Sequence, residues 1–189
     1  DDFYVVRATC ISGKGEKVDT VCTGFSVWDE NVIQNGVKFV YENNYLYVTK
    51  PDGTKKAVFA TGTDDGANTL LNLDQTPLVY KNDMQRFKDM GLYIYENLQQ
   101  YPEQVMFENL LKDPVRKERH FRKVDNIVYL TQKYGLIYKM GMAICCNVAC
   151  SEEKLEELAA DIKQMADRYK SVPGLIFYLN GDLVCRLSD

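Results

Sequence analysis

Histidine is almost missing from this 189-residue chain: His120 stands alone. A single histidine excludes a His-x-x-x-His metal site and leaves no Ser-His-Asp set to single out. No apolar run approaches the ~18–20 residues that span a bilayer, so no integral membrane segment is expected. No Asn-x-Ser/Thr occurs, which counts against a glycosylated ectodomain. The Gly-x-x-x-x-Gly-Lys-Ser/Thr pattern is missing, so Gly13-Lys14-Gly15 is not a phosphate loop. Neither sign of charge dominates. A net charge of -4 counts against a dedicated nucleic-acid binder. No basic-then-apolar leader precedes Asp1, as in a trimmed chain or a mature one left after signal cleavage. No internal repeat or low-complexity tract is read. What remains is ordinary for a globular protein: 46% hydrophobic and 26% charged residues, which excludes a disordered, collagen-like or coiled-coil chain.

Six cysteines are present: Cys10, Cys22, Cys145, Cys146, Cys150 and Cys185. An even count suits a disulfide framework in an oxidising compartment, periplasmic or secreted, and all six are structural disulfide candidates. Cys10 and Cys22 flank the turn Gly13-Lys14-Gly15-Glu16-Lys17. If residues 3–12 and 18–27 are hairpin arms, the two lie opposite or nearly so, with Cβ atoms about 4.5–5.5 Å apart, close enough to bridge. Cys145 and Cys146 are adjacent, so in a strand they face opposite sides and have different partners.

Residues 3–61 read as short strands. Phe3-Tyr4-Val5-Val6, Thr20 to Trp28, Val37 to Tyr41, Tyr45 to Thr49 and Lys55 to Ala60 are rich in β-branched and aromatic residues. Asn43-Asn44 and Pro51-Asp52-Gly53 mark turns. Residues 62–76 read as loop and as a boundary. Met84, Phe87, Met90 or Gly91, Ile94 and Leu98 recur at helical spacing. Val105 to Leu111 suggests a short helix. Pro114 to Tyr134 suggests a longer one, with Pro114 in its first turn and Gly135 as its stop. Leu136 to Val148 reads as a strand. Ser151 caps a helix whose stripe is Leu155, Leu158, Ala159, Ile162, Met165, Ala166 and Tyr169. Gly174 to Leu187 around Asn180-Gly181 reads as a hairpin. The expected class is α+β: an antiparallel β region over 1–76, then a helical and β-α-β-β region over 77–189, with one shared core as an alternative to two.

Few residues assemble chemistry. Arg116, Lys117, Arg119 and Lys123 surround His120 on one predicted helix. They form either a solvated basic face or a patch for an acidic partner, an anionic headgroup or phosphate. Asp64-Asp65-Gly66-Ala67-Asn68 has oxygen ligands beside a glycine but not the EF-hand spacing, and reads as a polar turn. Glu152-Glu153 and Glu156-Glu157 read as solvated charge. Thirteen tyrosines suit either sheet–helix packing or an interface. No catalytic residue, metal ligand or cofactor is assigned.

Val172-Pro173-Gly174-Leu175-Ile176-Phe177-Tyr178-Leu179-Asn180-Gly181-Asp182-Leu183-Val184 resembles the closing hairpin of thioredoxin-like domains, although the family's Cys-x-x-Cys is missing. That resemblance implies a cis bond before Pro173 and a thiol–disulfide oxidoreductase or chaperone working through Cys145, Cys146 or Cys150. The leading expectation is of another class: a non-enzymatic exported protein that binds a protein partner. A component of a secretion or conjugation apparatus, or an inhibitor or immunity-type binder, would fit. The oligomeric state is left open.

Overall fold

The computed structural model describes residues 3–49, 52–58, 62–64, 77–99, 113–143 and 152–180. The chain is an α+β protein. Its amino-terminal part is antiparallel. β1 (Phe3–Ile11) and β2 (Lys17–Ser26) form a two-stranded ribbon. A five-residue helix, α1 (Glu30–Gln34), follows; Asp29 caps it by accepting the Asn31 N–H at 2.9 Å. β3 (Lys38–Glu42), β4 (Tyr45–Thr49) and β5 (Lys55–Val58) form a meander. The β3–β4 turn places Asn43 and Asn44 at φ 50° and 67°, the left-handed pair that a two-residue hairpin needs.

The remaining described strands form a parallel sheet. β6 (Gly62–Asp64), β7 (Ile94–Gln99), β8 (Ile137–Ala143) and β9 (Leu175–Asn180) lie side by side in sequence order. Between them run α2 (Pro77–Asp89), α3 (Pro114–Tyr134) and α4 (Glu152–Tyr169). α3 begins at Asp113, whose Oδ1 accepts the Val115 N–H at 2.9 Å with Pro114 in the first turn.

Two helix ends share one device. Leu92 N–H donates to Phe87 O (3.0 Å) and Gly91 N–H to Lys88 O (3.0 Å); Leu136 N–H donates to Thr131 O (2.8 Å) and Gly135 N–H to Gln132 O (3.1 Å). Gly91 and Gly135 have φ of 74° and 68°. Each is a Schellman cap, in which a left-handed glycine lets the chain turn back on its last carbonyls. This corrects one expectation. The helical spacing through Ile94 and Leu98 does not continue, because the chain leaves the helix at Gly91 and re-enters as β7. β6, within the stretch read as loop, pairs with β7 in the parallel sheet.

Toward its amino end the sheet is packed on both faces, and there β7 and β8 begin with the apolar pairs Ile94-Tyr95 and Ile137-Tyr138. Tyr95, Tyr138 and Met140 pack with Met84 and Phe87 of α2, Val124, Ile127 and Val128 of α3, and Met165 and Tyr169 of α4. On the other face Ile94, Ile137 and Ile176 meet Val37, Phe39, Leu46, Val48 and Val58 of the meander. Lys56 Nζ donates to Tyr93 Oη at 2.7 Å and ties the meander to the start of β7.

Two polar nodes fasten the helices. Asp125 of α3 accepts from Arg168 of α4 through Nε (2.9 Å) and Nη2, and from Tyr169 Oη (2.7 Å). The Asp125 hydrogen bond holds the Arg168 guanidinium charged well beyond its usual range. Burial, and then the neighbouring Asp125 charge, push the Tyr169 phenol up. The second node is Gln132, almost fully buried, with an Oε1 that has no hydrogen-bond partner. A Cβ added to Gly36 would sit 2.2 Å from that oxygen; one on Gly174 would sit 2.6 Å from it and 2.7 Å from Val37 Cγ1.

These nodes generate two predictions. Gly36→Ala and Gly174→Ala should each lower stability by about 1–3 kcal/mol in denaturant unfolding. The Gly36→Ala cost should largely vanish in a Gln132→Ala background, whereas Gly174→Ala should keep part of its cost against Val37. An equal Gly36→Ala cost in both backgrounds would remove Gln132 as the reason. The raised Tyr169 pKa means that the unfolded chain gives up this proton first. Stability should therefore fall as pH rises above about 10, the ordinary phenol value. Tyr169→Phe should flatten that decline in a melting-temperature profile.

Candidate functional site

The two ends of the parallel sheet differ. At the amino end the links are short: residues 90–93, 135–136 and 170–174. Ile94 and Ile137 stand in register there, and the meander packs on them. At the carboxyl end β6 stops at Asp64, β7 at Gln99, β8 at Ala143 and β9 at Asn180, and the longer segments 65–76, 100–113 and 144–151 leave from there. In sheets of this kind ligands bind outside the carboxyl ends, where loops rather than packed side chains meet.

The backbone register lines up residues toward that end. Asp64 pairs with Glu96, Glu96 with Lys139, and Lys139 with Ile176. This row lies two residues further along the strands than Ile94 and Ile137. The next row is Leu98, Gly141 and Tyr178. One row thus brings two carboxylate-bearing residues onto neighbouring strands about 4.8 Å apart, with Lys139 beside them. Lys139 is half-buried and already engaged in a polar or electrostatic contact. Aspartate, glutamate and lysine are residue types that general acid–base work draws on. Sequence reasoning missed this row because it placed Asp64 in a polar turn and Glu96 in a helix. The signal was present: Gly91-Leu92 and Gly135-Leu136 each precede an apolar run, marking two equivalent helix-to-strand junctions.

The residues expected to act are placed differently. Lys117 donates to Gln164 of α4 and lies 6.0 Å over the Phe121 ring, so its ammonium is committed to the α3–α4 contact. Lys123 is half-buried and engaged with a neighbour. Arg116, Arg119 and His120 lie on α3, but their side chains are outside the described residues, as are Cys145, Cys146, Cys150 and Cys185. Among the described residues no three His, Cys, Asp or Glu side chains gather as a metal-holding group.

The expected Cys10–Cys22 bridge is not formed; both thiols are free. The ribbon register pairs Cys10 with Asp19 and Cys22 with Arg7, shifting between Cys10 and Ile11. Cys10 and Arg7 are three residues apart on β1, an odd number, so the two cysteines face opposite sides of the ribbon. The argument from cysteine count to an oxidising compartment loses the pair it began from. The thioredoxin-like expectation fails on geometry as well. No cis peptide bond occurs among the described residues, Pro173 included, and β9 runs parallel to β8. The second arm of the hairpin expected around Asn180-Gly181 lies outside the described residues.

No family model and no curated protein matches this sequence. Solved structures do. One, described as a glycoside hydrolase, is 22% identical with a TM-score of 0.51, over 78% of this chain and 34% of that one. Another, a glycoside hydrolase family 5 protein from Bacteroides vulgatus ATCC 8482, is 20% identical with a TM-score of 0.47, over 74% of this chain and 32% of that one. The likeness to the first is one of fold. The chain spans about a third of the length of the solved structures it matches. This overturns the expectation of a non-enzymatic exported binding or assembly protein. The chain folds like part of a glycoside hydrolase, and nothing in it supports a secretion apparatus. No described helix is long and apolar enough to cross a membrane.

The free thiols carry the prediction of this site. Cys10 is exposed, so it should alkylate in the native protein without reductant. Cys10→Ser with Cys22→Ser should leave the melting temperature within the error of a surface change, about 0.5 kcal/mol. A loss of roughly 2–4 kcal/mol would restore the bridge.

Proposed function

We propose that this chain is part of a glycoside-hydrolase-like enzyme that cleaves a glycosidic bond across the carboxyl ends of β6–β9. The observation that carries this reading is the in-order parallel sheet with a row containing Asp64 and Glu96 toward its carboxyl end. Hydrolysis of a glycosidic bond needs two carboxyl groups. One protonates the leaving oxygen; the other activates water or attacks the anomeric carbon. Asp64 and Glu96 are the carboxylates the sheet brings into one row, and Lys139 is the cation that would favour an ionised neighbour. The fold likeness to a glycoside hydrolase supports the same reaction class.

The test is sugar release from a panel of aryl α- and β-glycosides and plant polysaccharides by the protein in its native form. Glu96→Gln and Asp64→Asn should each lower kcat by about 10²–10⁴-fold with little change in KM. Hydrolysis that both variants retain would move the chemistry elsewhere. No sugar release from any member of the panel would remove the reading.

A further inference from the structure

A second cavity lies away from the strand ends, on the outer side of the helices. It has a volume of about 680 Å³ and opens between the end of β2, the start of α1, the middle of α3 and the end of α4. That size suits a small-molecule site. Its walls mix rings and charges. Phe25 and Trp28 are exposed at its rim, at 44% and 41%, and Tyr129 and Tyr169 lie buried in its floor.

The charges in the walls cancel. Its lining holds two carboxylates, Glu30 and Asp125, and two guanidinium groups, Arg122 and Arg168. Asp125 is held by Arg168 and Tyr169, and Arg122 pairs with Glu118. A site without surplus charge selects neither a strong anion nor a strong cation. It still offers guanidinium groups with five N–H donors each and carboxylates with several lone pairs, more than one partner apiece takes up. The indole is fixed too. Trp28 Nε1 donates to Glu30 Oε2 (3.0 Å), Gln34 Nε2 donates to Glu30 Oε1 (2.9 Å), and the indole centroid is 6.3 Å from that of Tyr129. Asn126 Oδ1 accepts the Ser26 N–H at 2.7 Å and holds the end of β2 against α3. A preorganised wall loses little entropy when it binds.

From this combination we infer that the cavity binds a neutral sugar unit, stacked on Trp28 and hydrogen-bonded by the flanking charged pairs. A pyranose ring presents apolar C–H groups on its face and hydroxyls around its rim. An exposed indole beside carboxylate and guanidinium groups of balanced charge complements both. The site is separate from the row of Asp64 and Glu96, so it holds polysaccharide without cutting it. The ligand class follows from the cavity's own rings and charges and stands apart from the proposed hydrolysis at the strand ends.

Trp28 is the single tryptophan of the chain, so all of its tryptophan emission arises at this site. The protein is titrated with cellohexaose, xylohexaose, mannohexaose, laminarihexaose and maltohexaose. At least one should shift the emission saturably. In calorimetry, Trp28→Ala should weaken that sugar tenfold or more and Trp28→Phe less, both with an unchanged far-ultraviolet spectrum. Glu96→Gln should leave the emission titration as it was, which separates this site from the strand ends. No saturable shift with any of the five, or an unchanged Kd in a folded Trp28→Ala, would overturn the inference. Loss of the shift in Glu96→Gln would also overturn it and assign the sugar to the strand ends.

Discussion

Parallel pairing between strands that follow one another in sequence is the constraint on which this structure rests. Such a pair cannot be closed by a tight turn; the chain must cross over the sheet and return. α2, α3 and α4 are those crossovers, and each packs on the face that carries Tyr95, Tyr138 and Met140. Crossovers of one hand place every helix on one side when strands are added in order. The other face, with Ile94, Ile137 and Ile176, then has no helix among the described residues and would be left wet. The β3–β5 meander supplies the missing layer, which explains why an antiparallel unit precedes a parallel one in this chain.

The ends of the crossovers follow from the same constraint. A helix that must reverse within a few residues cannot fray. At Gly91 and Gly135 the left-handed glycine closes the last turn, and the leucine after it returns to the core. Further out, the Asp125–Arg168–Tyr169 node locks α3 to α4 where the two helices have no sheet between them. This leaves the aromatic cavity beside it with rigid walls.

Local signals were legible in the sequence where local physics decides. Pro114 after Asp113 and Gly135 after Tyr134 bound a helix to the residue, and Asn43-Asn44 marks a tight hairpin. Tyr-rich and β-branched runs mark the meander strands. The failures come where tertiary structure decides. Ile94 and Leu98 continue the helical spacing of Met84 and Phe87 by coincidence, because a strand buried on both faces has no alternation to betray it. The ribbon register shifts at a bulge between Cys10 and Ile11, and arms read as 3–12 and 18–27 about Gly13-Lys14-Gly15-Glu16-Lys17 do not show that Cys10 and Cys22 are kept apart. The row of Asp64, Glu96 and Lys139 was illegible for the same reason. Residues more than thirty positions apart become neighbours only once the parallel order is known.

The unequal links at the two ends of the sheet bear on how this protein can change. At the amino end, an inserted residue between α3 and β8 would have to break a glycine cap and shift Ile137 out of the layer it shares with the meander. Insertions there should be purged. The amino rim of the sheet is therefore the part of this frame that tolerates the least change in length.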